Sequence, residues 1–130
     1  MLQRIDSDNV HIKRICVRDI AKERGVKAEF TADPNDIFED KDINLIVEVI
    51  DDADAAYDIV KRALKNRIPV VSGNKKMLGY HIVELIDLQE QYNTPLLYDA
   101  SACGSIPVIR NLEEYYDNDL LCSVKGILNG

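Results

Sequence analysis

Short runs of β-branched and other apolar residues alternate along the chain with longer stretches whose apolar positions recur every three or four residues, the two periods of strand and helix. Residues 11–17 form the first run, closed by Arg18 and Asp19, and are predicted as a strand. Asp33-Pro34 supplies a helix start, with Asp33 as N-cap and Pro34 at the first helical position, ahead of Ile37 and Phe38 as a short apolar face. Leu45, Ile46, Val47, Val49 and Ile50 make a nearly continuous apolar run ending at Asp51-Asp52, the pattern of a strand buried on both faces of a parallel sheet. Over 53–66, Ala56, Ile59, Val60, Ala63 and Leu64 build one helical stripe, closed by Asn66. Residues 68–71 are the next strand, Ser72-Gly73-Asn74 a turn, and 77–92 a helix with Ile82, Leu85 and Ile86 on its inner face. Pro95 opens a strand through Tyr98, Pro107 starts a helix to about Tyr116, and 121–128 resumes strand character.

Strand, helix, strand, helix, strand is the order of a parallel sheet wrapped by right-handed crossovers, so the predicted class is α/β, a Rossmann-like doubly wound parallel sheet of about four or five strands. Such folds begin with a strand and a GxGxxG turn whose amides hold a pyrophosphate at a helix N-terminus. No such turn occurs in the sequence, and residues 1–9 read as the end of a crossover helix and its loop. The expectation is therefore a truncated Rossmann sheet that begins one strand and most of one helix late.

Composition narrows the partners. The net charge of −7 disfavours a whole-surface attraction to nucleic acid or an anionic membrane, while leaving room for a small basic phosphate pocket. The longest apolar run, around 45–50, is interrupted by Glu48 and falls far short of the ~20 residues of a membrane span. Cys16, Cys103 and Cys122 form no CxxC pair; an odd count with no signal peptide fits reduced thiols in a cytoplasm, read as small apolar residues.

In an open parallel sheet the ligand lies beyond the carboxyl ends of the strands, so the residues that follow each strand carry the candidate chemistry. Arg18 and Asp19 follow the first: an acid there accepts from ribose hydroxyls and an arginine pairs with a 2′-phosphate, although from local sequence alone a solvated loop pair is the plainer account of the dipeptide. Ser72, Gly73, Asn74, Lys75 and Lys76 follow the next but one, where a lysine can hold a carboxylate or polarise a carbonyl; the plainer account makes Ser72 or Asn74 a helix cap and both lysines surface charge. Within 99–107, Asp99 and a run of small residues offer oxygen ligands to a hard cation, or else a close-packed strand-to-helix turn. Neither His11 nor His81 is placed to activate Cys103 as a nucleophile.

Taken together, these stretches resemble homoserine dehydrogenase. The likeness runs through nearly all of the chain and is strongest at Ile15-Cys16-Val17-Arg18-Asp19, at Pro69-Val70-Val71-Ser72-Gly73-Asn74-Lys75, over 98–107, and at Ser123-Val124-Lys125-Gly126-Ile127-Leu128-Asn129-Gly130. Against the family's usual patterns, Asp51-Asp52 stands where a pair of glycines is common, Asp99 replaces a glutamate and Ser105 a glycine.

The resemblance implies reversible hydride transfer between NADP or NAD and a small-molecule substrate, interconverting L-homoserine and L-aspartate 4-semialdehyde on the route to threonine, methionine and isoleucine. It implies that Lys75 is catalytic and lies near the nicotinamide, that Ser72, Gly73, Asn74 and Lys75 line the cofactor, and that Arg18 meets the adenosine ribose or its phosphate, with tolerance of both nucleotides. A monovalent cation, sodium, would be held by Asp99, Ala102, Gly104 and Ile106. On this reading 1–118 is a partial NAD(P)-binding domain and 119–130 the first segment of a substrate domain. The parent is expected to be a cytoplasmic homo-oligomer without nucleic-acid or membrane partners, and the isolated 130 residues to be inactive. The alternative is a non-catalytic Rossmann-like nucleotide-binding or structural module.

Overall fold

The computed structural model describes residues 10–98, 101, 108–115, 120, 122–123 and 125–126. The chain divides into two compact units, Met1–Asn44 and Leu45–Gly130.

In the first unit, β1 (Arg14–Cys16) pairs in parallel with β2 (Glu29–Thr31), Ile15 opposite Phe30. β2 was not anticipated: Phe30 is its one large apolar residue, between Glu29 and Thr31, too short a run for alternation to register. Its pairing with β1 supplies the order that its own sequence lacks. The ladder is pinned at its edge by Arg14, whose guanidinium donates to Glu29 Oε2 at 2.8 Å and to the Asp36 carbonyl. Helix α1 spans Asn35–Phe38, one residue later than predicted, with Pro34 at its boundary in helical conformation, φ −58° and ψ −25°; the Asp33 carboxylate takes the Asn35 N–H at 2.8 Å, the capping bond expected of Asp33.

The second unit holds β3 (Ile46–Glu48), α2 (Ala53–Lys65), β4 (Val70–Ser72), α3 (Lys75–Tyr92), β5 (Leu96–Leu97) and α4 (Val108–Tyr115). Its three strands are parallel in the order β3-β4-β5, with Ile46 opposite Val70 and Val70 opposite Leu96. The predicted adjacency of the strands at 45–50 and 68–71 is thus present. Among the described residues the strands form two sheets, of two and three strands, where one sheet of four or five was expected.

Ile46, Val70 and Leu96 are buried on one face of the three-stranded sheet, with the core of α2 (Ala56, Val60, Ala63, Leu64) and of α3 (Met77, Leu78, Leu85, Leu88). The opposite face differs from the expectation of two-sided burial: Val47 is 62% and Leu97 59% exposed. Both crossover helices pack on the first face, which leaves the alternate side chains of the strands without a described cover. Ile86, predicted to face inward, is exposed; the helix begins at Lys75, and Met77, Leu78, Leu85 and Leu88 form its buried stripe.

Both long helices end alike. Arg67 at φ 59° and Asn93 at φ 49° take left-handed conformations, while Ile68 N–H reaches Ala63 O at 2.9 Å and Thr94 N–H reaches Gln89 O at 3.0 Å, satisfying the last carbonyls. Of the strand expected over 121–128, the described residues Cys122, Ser123, Lys125 and Gly126 are outside any strand. Cys16 and Cys122, read as small apolar residues, are exposed; Cys103 lies outside the described residues. The Cys16 thiol is pushed up by partial desolvation and then by the carboxylates of Asp33 and Asp36, so it is a poor thiolate.

Candidate functional site

The chemistry-bearing residues of the second unit gather where β3 and β4 end. Glu48, the last residue of β3, is 2% exposed, and its carboxylate takes two hydrogen bonds, from Ile50 N–H to Oε1 at 2.5 Å and from the Ser72 hydroxyl to Oε2 at 2.5 Å. Ser72, fully buried at the end of β4, accepts in turn from Asn74 N–H at 3.2 Å. Asn74 uses both ends of its amide: Nδ2 donates to Ile50 O at 2.7 Å and Oδ1 accepts from Met77 N–H at 2.9 Å, capping α3. Glu48, Ile50, Asn74 and Ser72 therefore close a ring of hydrogen bonds across two strand ends. Gly73 N–H to Glu48 O at 3.0 Å extends the strand ladder by one residue across the same gap.

Sequence reasoning missed Glu48 as a member of this ring, because it appears only as an interruption of an apolar run. The available signal was its phase. Glu48 shares the inward face with Ile46, two residues back, so a carboxylate there is buried and must be satisfied.

The turn residues separate into two kinds. Ser72 belongs to β4, not to the turn as predicted, and with Asn74 it is buried and engaged internally. Gly73 is exposed, and Lys75 and Lys76 are exposed as the first two residues of α3. Two ammonium groups at a helix N-terminus oppose the helix dipole, and this first turn contains no acid. Helix α2 shows the ordinary arrangement, with Asp54 in its first turn and Arg62 and Lys65 in its last. The start of α3 thus combines backbone N–H groups and cations in one place, an arrangement that favours an anion. Lys76 Nζ lies 6.0 Å from the centroid of the Tyr80 ring, one helical turn on.

Asp51 and Asp52, which stand where the family commonly has a pair of glycines, divide in the same way. The Asp52 carboxylate accepts from Asp54 N–H at 3.0 Å and Ala55 N–H at 2.9 Å, so its charge is spent on the start of α2. Asp51 is exposed.

Arg18 stands in the first unit, exposed and outside any ion pair among the described residues. Its neighbour Asp19 folds the loop after β1 upon itself by accepting from Ala21 N–H at 2.9 Å. Arg24 closes that loop, donating to the carbonyls of Asp19 and Lys22 and lying 5.5 Å over the Phe30 ring. Asp99, Ala102, Gly104 and Ile106 lie outside the described residues. No group of three or more metal-binding side chains occurs among the described residues, and no helix there is long and apolar enough to cross a membrane.

A family model described as "Homoserine dehydrogenase, NAD binding domain" matches residues 1–99. The chain is 38% identical over 121 residues to the homoserine dehydrogenase of Helicobacter pylori, covering 93% of this chain and 28% of that enzyme. The fold matches the crystal structure of a homoserine dehydrogenase from Thiobacillus denitrificans at a TM-score of 0.71 and 28% identity, over 78% of this chain and 24% of that one. A hyperthermophilic archaeal homoserine dehydrogenase in complex with NADPH matches at a TM-score of 0.56 and 26% identity, over 62% of this chain and 25% of that one.

Proposed function

Because the chain belongs to the homoserine dehydrogenase family through its NAD-binding domain, we propose that it supplies the nicotinamide-nucleotide-binding part of an enzyme interconverting L-homoserine and L-aspartate 4-semialdehyde. The chain spans about 28% of the length of the curated relatives it matches, so the activity, substrate and homo-oligomeric state of the whole protein are carried in this proposal. The observation that supports it most directly is the start of α3: exposed Gly73 and Lys75 at the carboxyl end of a parallel strand, above a buried hydrogen-bonded ring.

The residues fit a dinucleotide in kind. A glycine without a side chain lets a flat ring or a phosphate approach the backbone, and the cationic helix start suits an anionic ligand. Gly73 and Lys75 are assigned to the nicotinamide half, with Ser72 and Asn74 shaping the turn. Arg18 is assigned to the adenosine ribose or its 2′-phosphate, with use of both NADP and NAD. When bound, the nucleotide accepts or donates the hydride.

Lys75 then orients the substrate or polarises its carbonyl, an interaction that strengthens as negative charge develops on the oxygen. Lys76, with its ammonium toward Tyr80, serves the helix surface. A monovalent cation, carried over from the family resemblance, is assigned to Asp99 and the carbonyls of Ala102, Gly104 and Ile106.

The experiment is a nicotinamide absorbance assay on the intact protein with aspartate semialdehyde, using NADPH and NADH in turn. Both nucleotides are expected to support turnover, with Arg18→Ala weakening NADPH more than NADH. Lys75→Ala is expected to lower kcat/KM by about a hundredfold, the scale of one lost transition-state contact, with Lys76→Ala near wild type. Equal behaviour of the two lysine variants would remove Lys75 from the site.

A further inference from the structure

The hydrogen-bonded ring at the ends of β3 and β4 has a feature that stability alone does not explain. Glu48 occupies an inward-facing strand position, next in phase to the buried Ile46, where an apolar side chain would add burial at no cost in desolvation. A buried carboxylate is costly unless its oxygens are fully satisfied, and no ion pair engages Glu48 among the described residues. Its oxygens are directed elsewhere. One holds the backbone amide that follows β3, Ile50 N–H, and the other holds the side chain that ends β4, Ser72.

Through Ser72 the effect continues to Asn74 N–H, and through Asn74 to the first turn of α3 at Met77 and back to Ile50 O. The donors run in two branches from Asn74 to Glu48: Asn74 N–H into Ser72 and Ser72 into Glu48 on one side, Asn74 Nδ2 into Ile50 O and Ile50 N–H into Glu48 on the other. A carboxylate, which only accepts, is the one member that takes two of these bonds without offering a competing donor.

We propose that Glu48 is the positioning residue of the nucleotide site: its carboxylate fixes the conformation of the Gly73 turn, and with it the direction in which Lys75 leaves the helix start. The proposal rests on the reading of residues 72–75 as nucleotide-binding. It assigns Glu48 no contact with the ligand. Its effect is to hold the unliganded turn in the shape the nucleotide needs, which raises affinity by removing an ordering cost at binding.

Glu48→Gln is close to isosteric and can keep the Ile50 bond, but its amide nitrogen cannot accept from Ser72. In the intact protein, NADPH affinity read by nucleotide fluorescence should fall about tenfold in Glu48→Gln, with the ¹H–¹⁵N signals of Gly73 and Asn74 shifted or broadened in the unliganded state. Ser72→Ala removes the same bond from the other side, together with the acceptor of Asn74 N–H, and should give at least as large a loss even if a Glu48 variant folds poorly. The double variant should lose little more than Ser72→Ala alone, since the Glu48–Ser72 bond is already absent there.

A purely structural role predicts a lower melting temperature with unchanged affinity in the folded fraction, and that result would overturn the proposal. So would additive losses in the double variant. If the wild-type protein itself fails to bind NADPH, the nucleotide-site reading falls, and this proposal with it; if wild type binds and Glu48→Gln binds equally well, only the role of Glu48 falls.

Discussion

Gly73 separates packing from ligand contact more cleanly than any other residue of the turn. A Cβ at this position would meet Val49 Cγ1 at 3.7 Å and Glu48 O at 4.0 Å, both ordinary van der Waals contacts, and the residue is exposed. The fold therefore tolerates a methyl group there, and Gly73→Ala is expected to leave the melting temperature within a degree or two of wild type, as for other exposed substitutions of roughly ±0.5 kcal/mol. A nucleotide lying against the backbone would meet that methyl, so NADPH affinity should fall by about tenfold, the equivalent of roughly 1.4 kcal/mol. Calorimetric titration beside a thermal melt tests both halves; unchanged affinity would place the ligand away from Gly73. Ser72 offers no such separation, because its hydroxyl is committed to Glu48 and its loss disturbs packing and site together.

Among the elements, the ends of the helices carry the clearest unrealised stability. Arg67 follows α2 at φ 59°, a left-handed position where a Cβ is unfavourable and glycine is the usual occupant, and its side chain is exposed. Arg67→Gly is expected to stabilise the protein by about 0.5–1 kcal/mol, read as a higher urea midpoint at unchanged m-value. A lower midpoint would mean that the arginine side chain supports the turn by more than the backbone strain costs.

The helices were legible because long segments repeat their signal. Five apolar positions outline α2, and Asn66 closes it as the sequence indicates. β2 was not legible, because three residues with one large apolar side chain carry no period, and its partner β1 lies well before it in the chain. The strand ends were misjudged for a related reason: hydrophobicity marked the run at 45–50, while hydrogen-bonded pairing confines the strand to Ile46–Glu48. Of the site, the loop positions followed from the rule that ligands lie beyond strand ends, but the ring beneath them did not, since Glu48 meets Ser72 and Ile50 meets Asn74, each across 24 residues, only after folding.

Across the whole molecule, each compact unit holds a carboxylate whose charged form is favoured by folding. In the first, Asp40 is lowered by the hydrogen bond from Lys13 at 2.8 Å and then by the Asp42 N–H. In the second, Glu84 is lowered first by the Tyr57 hydroxyl and then by Lys61 at 2.9 Å, a cluster that joins α2 to α3 and includes Tyr57 stacked on His81 at 4.0 Å. A carboxylate lowered on folding contributes stability that is complete above its ordinary value, 4.5 for Glu84 and 3.8 for Asp40, and is lost as pH falls through the folded value.

Lys13 and Lys61 are raised from 10.5, so their contributions are complete below that value and lost only as pH rises through the higher folded one. The melting temperature should therefore be nearly level between these limits and fall on the acid side first. Because the partners are partly exposed, the acid limb should be shallow and should weaken in 0.5 M salt. Two groups hold Glu84, the neutral Tyr57 hydroxyl ahead of the Lys61 ammonium, and removing each in turn separates them. Tyr57→Phe should move the Glu84 titration, followed by carbon NMR of its carboxyl group, further toward 4.5 than Lys61→Met does. If Lys61→Met has the larger effect, the lysine charge and not the tyrosine hydroxyl holds Glu84 ionised, and the acid limb should then respond to salt much more strongly than one set by a neutral hydrogen bond.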